Sequence, residues 1–159
     1  MSVKAGKHAR ELLLKEYRGV LSTHSKAMPG FPFGSVVPYC LDADGCPLLL
    51  ISRIAQHTHN LMQDNKCSLL VGERGAEDVQ AVGRLTLLAH AHALQETPQI
   101  EAAAARYYRY FPESRDFIRC MISIFGGWSL CAGALSVVLA RFTGWIRSRW
   151  AIHLPARRN

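Results

Sequence analysis

Residues 47–61, PLLLISRIAQHTHNL, decide how the rest of the chain is read. Leu48, Leu49, Leu50 and Ile51 form an apolar run of the length of a buried strand, and it follows a turn signal at Asp44-Gly45. The strand runs into Ser52 and Arg53. The chain then crowds hydrogen-bonding groups into Gln56, His57, Thr58, His59 and Asn60 before Leu61 and Met62 resume an apolar period. Thr58 is the expected N-cap of a short helix, whose free N–H groups would attract an anion. A cation (Arg53), two hydroxyls (Ser52, Thr58) and a helix N-terminus in one bend are what a phosphate group needs.

Outward from this bend, the sequence reads as alternating helices and short strands. Ala9, Leu12, Leu13 and Tyr17 share a helical face over residues 5–18, with Gly19 as the stop and a strand from Val20. Residues 35–41 form a strand interrupted by Pro38, which restricts it to an edge or a bulge. Residues 42–45, DADG, turn it back into the 48–51 strand as a hairpin. Further strands are expected over 66–72 and 79–93. An alanine-rich helix begins at Thr97-Pro98 and is stopped by Pro112. This order gives an α+β chain, mainly antiparallel, of about five strands in a small barrel with helices at its rim.

At 159 residues, 49% of them hydrophobic and 19% charged, the chain has the composition of one globular domain. The net charge of +7 is a local property of the end of the chain, where Arg119, Arg141, Arg147, Arg149, Arg157 and Arg158 cluster. It is no nucleic-acid footprint, and no nucleic-acid motif accompanies it. Five cysteines without a CxxC pair suit a reducing, cytoplasmic setting and small core residues. The polar start MSVKAGKHAR is not a signal peptide. His57 and His59 fall in a turn and His90 and His92 on one strand face. Without a carboxylate or cysteine at ligand spacing, they read as surface or hydrogen-bonded histidines and not as a metal site. No serine sits on a nucleophile elbow.

Three stretches, ARELLLKEYRGVLST, GFPFGSVVPYCLDADGCPLLLISRIAQHTHNL and CSLLVGERGAEDVQAVGRLTL, resemble in one order the FMN-binding split-barrel superfamily. Within it the pyridoxamine 5'-phosphate oxidase-related and HugZ-type heme-utilisation proteins are the most similar branch. The resemblance spans residues 8–117. It implies a six-stranded antiparallel split barrel that forms a homodimer, with FMN in the cleft between subunits and a flavin-dependent oxidoreductase type of activity. By the same resemblance, Ser52, Arg53, Thr58 and Asn60 would hold the flavin phosphate. The strand through Val37 and Tyr39 would lie along the isoalloxazine, and Gln80 would approach it. Heme binding, known among relatives, is the alternative cofactor reading, and a truncated non-catalytic barrel is a third.

After Phe117 the resemblance stops, so residues 1–117 read as an incomplete barrel domain and 118–159 as an atypical apolar and basic tail. Residues 121–140 carry no charge between Arg119 and Arg141, and by length they qualify as a transmembrane helix that would anchor the protein to a membrane. A second reading uses the genetic code. Read one nucleotide earlier from Ile118, the codons permit HQVHDFDFWRLEP and later VIGGFGEIHWLDP, strings of the kind the family carries there. Loss of one nucleotide after the Phe117 codon is therefore expected, and the mass of the C-terminal peptide tests it. On either reading the barrel would lack its last strand, leaving an unpaired edge.

Overall fold

The computed structural model describes residues 3–75, 82–115, 125–139 and 142–146. Helix α1, Val3–Lys15, places Ala9, Leu12 and Leu13 in the core and ends four residues before Gly19. Tyr17 is outside the helix and 43% exposed. Gly19 lies within strand β1, Arg18–His24, which turns Leu21 and Thr23 inward. The glycine read as a helix stop serves a close approach instead. A Cβ at Gly19 would stand 2.8 Å from the Leu70 carbonyl oxygen and 2.9 Å from Leu69 Cδ1.

Strand β2, Pro32–Pro38, pairs antiparallel with β1, and after Tyr39 the chain continues as the two-residue β3, Cys40–Leu41. Pro38 is the last residue of β2, and the interruption falls on Tyr39 immediately after it. The DADG turn follows. Asp42 Oδ1 accepts from the amides of Asp44 (2.9 Å) and Cys46 (2.8 Å), and Gly45 takes φ of 81°. Strand β4, Pro47–Ser52, is nearly continuously buried, as its apolar run demands. It leads into α2, Gln56–Gln63, then β5, Lys66–Gly72, and β6, Arg84–Ala93. Helix α3, Thr97–Tyr110, starts with Pro98 in its first turn. It packs Tyr107 against Phe111 at 4.7 Å between ring centroids, in a small cluster with Cys40 and Leu48.

The tail forms strand β7, Phe125–Leu139, and strand β8, Phe142–Ile146. This overturns two expectations. The segment read by its length as a membrane helix is a strand wherever it is described; residues 121–124 and 140 lie outside the described residues. Among the described residues no helix is long and apolar enough to cross a membrane. Nor is the barrel short of a ladder, because β7 fills the slot between β4 and β6, pairing Leu50 with Gly127 and Leu87 with Leu135. The physical reason is that a strand slot asks for extended backbone and not for particular side chains. Gly126, Gly127 and Gly133 also disfavour a helix.

The sheet runs β2-β1-β5-β6-β7-β4-β3, with β8 on β7. Its two ends, β2 and β3, are successive pieces of one strand, so chain continuity through Tyr39 joins the ends of the sheet, as in a split barrel. The core within it holds Leu21, Val37, Leu49, Ile51, Leu69 and Leu85, with Leu61 of α2 and the apolar face of α1 packed against it.

Candidate functional site

The bend after β4 is built by its own polar groups. The Ser52 carbonyl accepts from the Ala55 amide (3.2 Å) and from Thr58 Oγ1 (2.5 Å), while Ser52 Oγ accepts from the Ile54 amide at 3.4 Å. Arg53 and Ile54 are exposed at its tip. Helix α2 therefore starts at Gln56, with Ala55 in the cap position and no side-chain cap. Thr58 is not the N-cap. It sits inside the first turn, buried, with its hydroxyl turned back on the strand. The uncapped turn still presents the positive end of the helix beside Ser52 and Arg53, an arrangement suited to an anion.

Asn60 is fully buried. Its Oδ1 accepts from the Lys26 amide (2.8 Å) and from Gln56 Nε2 (2.9 Å), and its Nδ2 donates to Thr23 Oγ1 (2.9 Å). These bonds fasten α2 to β1 and to the loop after it. Val37 and Tyr39 also turn inward, and the Tyr39 hydroxyl donates to the Leu13 carbonyl at 3.1 Å. Burial, and secondarily the Glu16 carboxylate, pushes the Tyr39 phenol well above its ordinary pKa. A ring lying along this strand would therefore meet its outward residues, including the 73% exposed Val36, and the backbone of Val37 and Tyr39. Gln80 lies outside the described residues. The structure thus brings Ser52, Arg53, Thr58 and Asn60 to one bend, with Ser52 and Arg53 nearest its outside.

His57, read from the sequence as a surface or hydrogen-bonded histidine, is half-buried and bonded. Its Nδ1 lies 3.1 Å from Ser35 Oγ on β2, and its Nε2 is shielded from solvent with no hydrogen-bond partner among the described residues. Burial holds its pKa below the usual value, so the imidazole is neutral. A buried polar nitrogen without a partner costs free energy and asks for a group from outside the chain. Its place in the polar bend was a signal, but Ser35 lies 22 residues away and meets it only through the packing of α2 on β2. His59 is exposed. His90 and His92 do share an exposed face, with His90 Nδ1 3.2 Å from Asn65 Oδ1.

Fold and bend together define an antiparallel split barrel with an anion-suited corner beside a neutral histidine. The chain belongs to the pyridoxamine 5'-phosphate oxidase family, whose profile matches residues 5–123. It is 41% identical over 87 residues to the chloroplastic heme oxygenase HOZ of Arabidopsis thaliana, a match covering 55% of this chain and 26% of that protein. Among solved structures it is similar to a heme binding protein from Mycobacterium smegmatis, with a TM-score of 0.77 and 26% identity. That match covers 92% of this chain and 59% of the other. HutZ, the heme storage protein from Vibrio cholerae, shares the fold with a TM-score of 0.66 at 22% identity, over 89% of this chain and 92% of that one. The chain thus spans about a quarter of the plant protein and under two thirds of the mycobacterial one.

Proposed function

We propose that this protein binds heme at the corner of β2, β4 and α2, with the exposed Arg53 on the bend for an anionic side group and with His57 Nε2, which the surrounding chain covers in this structure, reached by the iron once that cover opens. The observation that carries the reading is the half-buried, neutral imidazole whose covered Nε2 has no partner among the described residues. Such a nitrogen fits an iron centre, since imidazole binds metals in its neutral form and is commonly aimed by a hydrogen bond to the other ring nitrogen. The names of the similar plant and mycobacterial proteins support the same reading. Heme, when bound, supplies the redox chemistry at its iron. The chain's own part is to orient and enclose. Arg53, exposed at the rim, offers the cation.

FMN remains the second reading, favoured by Ser52 and Arg53 beside the uncapped first turn of α2, which together suit a phosphate. Thr58 and Asn60 enter it as residues that shape the bend, because their side chains are engaged internally. Titration of the purified protein with hemin, followed by the Soret band, and with FMN, followed by quenching of flavin fluorescence, tests both. The heme reading expects a Soret shift that His57→Ala removes. A Soret band unchanged by His57→Ala, or FMN binding in its place, overturns it.

A further inference from the structure

We infer that Ser35 is a positioning residue: by accepting from His57 Nδ1–H it holds the ring in the tautomer whose covered Nε2 keeps an unpaired lone pair. The inference rests on the heme reading for its choice of tautomer but not for its geometry. Ser35 sits on β2 opposite Leu21 of β1, so the pleat directs its side chain to the face of the sheet that carries Leu21 and Val37, where α2 packs. His57 Nδ1 at 3.1 Å is the hydrogen-bond partner of its hydroxyl among the described residues.

A serine hydroxyl can donate or accept, so the distance alone allows either tautomer. The other end of the ring decides between them. Were Ser35 the donor, the imidazole proton would sit on Nε2, and a buried N–H would be orphaned. With Ser35 as acceptor, the orphan is a lone pair. Either orphan costs free energy, but only a lone pair can be met by a metal centre, so on the heme reading the proton belongs on Nδ1. The neighbouring polar side chains do not alter this balance, since Thr58 Oγ1 is committed to the Ser52 carbonyl and the Asn60 amide to Lys26, Gln56 and Thr23.

The test uses the full chain without added cofactor. Long-range proton–nitrogen correlation spectra of the histidine rings, at a fixed pH where His57 is neutral, are expected to show the Nδ1–H pattern in the wild type. Ser35→Ala should convert His57 to the Nε2–H or mixed pattern, and Ser35→Thr, which keeps the hydroxyl, should restore it. In a hemin titration Ser35→Ala should weaken binding about tenfold, the scale typical of losing such an outer partner, and leave FMN quenching unchanged. An Nε2–H wild type, or a ring indifferent to Ser35→Ala, overturns the inference. If no variant binds hemin but the ring pattern follows Ser35 as described, the heme reading fails and the role of Ser35 stands.

Discussion

The side-chain amide of Asn60 donates to the Thr23 hydroxyl across 2.9 Å, and this one contact ties the helix of the candidate site to the strand that opens the barrel. The Thr23 hydroxyl in turn donates to the Phe33 carbonyl on β2 at 3.3 Å, so α2, β1 and β2 are linked through two side chains. Asn60→Ala would leave the Lys26 amide without its acceptor and Thr23 without its donor. Losing several buried bonds at about 1 kcal/mol each, with a further penalty for any group left unpaired, gives an expected cost of about 2–4 kcal/mol. A denaturant midpoint that falls while the slope stays constant would report it. A midpoint within error of wild type would show that the network adds nothing.

Gly19 carries a prediction of the opposite kind, about too much matter instead of too little bonding. Gly19→Ala would drive its Cβ against the Leu70 carbonyl of the paired strand, where backbone has to yield. Forcing a methyl into packed surroundings costs about 1–3 kcal/mol. The change should also weaken amide protection along the pairs Val20 with Leu70 and Leu21 with Leu69. Hydrogen exchange of those amides, compared with wild type, is the measurement.

These two positions show what could and could not be read ahead of the fold. Local signals were legible: the DADG turn, the proline that breaks the strand at residue 38, the start of α3 at Thr97-Pro98 and the strand feeding the polar bend. Gly19 was misread because a helix stop and a close approach use the same residue, and the approach involves a strand some fifty positions away. Thr58 was misread because its hydroxyl found the Ser52 carbonyl one turn back, so the helix began earlier under Ala55. The tail was misread because twenty uncharged, mostly apolar residues satisfy a length rule for membranes, whereas the empty ladder between β4 and β6 exists only in the assembled sheet. Ser52 and Arg53 stand out in the sequence by residue type alone, whereas the orphaned nitrogen of His57 is a property of burial.

Acid should loosen the start of β5 in a defined direction. Asp64 Oδ1 accepts from the Lys66 amide at 3.1 Å, and that bond, followed by the charges of Lys66, His24 and His90, holds its carboxyl below the ordinary value of 3.8. A folded-state pKa below the unfolded one means a contribution that is whole above pH 3.8 and is lost as pH falls through the folded value. Stability measured downward from neutral pH should therefore drop more steeply for wild type than for Asp64→Asn at the acid end. Parallel curves would remove Asp64 from the account.

The outer face of β2, β1 and β5 bears on assembly. Val36, Val20 and Leu70 occupy one row across the three strands through the pairs Val20 with Val36 and Val20 with Leu70. They are 73%, 36% and 40% exposed. A row of branched apolar residues facing water suits a second copy of the chain. Val36→Glu should shift the protein toward monomer in sedimentation equilibrium and leave its far-ultraviolet dichroism unchanged. A wild type that is monomeric at every concentration, or a variant with an unaltered distribution, rejects the pairing.

The tail offers the sharpest test of how the barrel is completed. Strand β7 supplies ladder partners to β4 along Leu48–Ser129 through Ser52–Phe125, and to β6 along ten pairs from Arg84–Val138 to Ala93–Trp128. Ending the chain after Arg115 would strip both, presenting two strands of the barrel wall to water with unpaired backbone groups. Edges of this kind recruit other chains. The shortened protein should scatter light on refolding and lose the cooperative denaturant transition. A subtler variant isolates the backbone from the side chains. Val137→Pro removes one N–H from the ladder and fixes φ, a change confined in natural sheets to edges and bulges, and β7 is central at that point, with β6 on one side and β8 on the other. It should lower the unfolding midpoint substantially, whereas Val137→Ala should cost much less. If truncation instead yields a soluble monomer with the wild-type midpoint, the barrel does not depend on this strand, and the pairing of β4 and β6 through the tail is wrong.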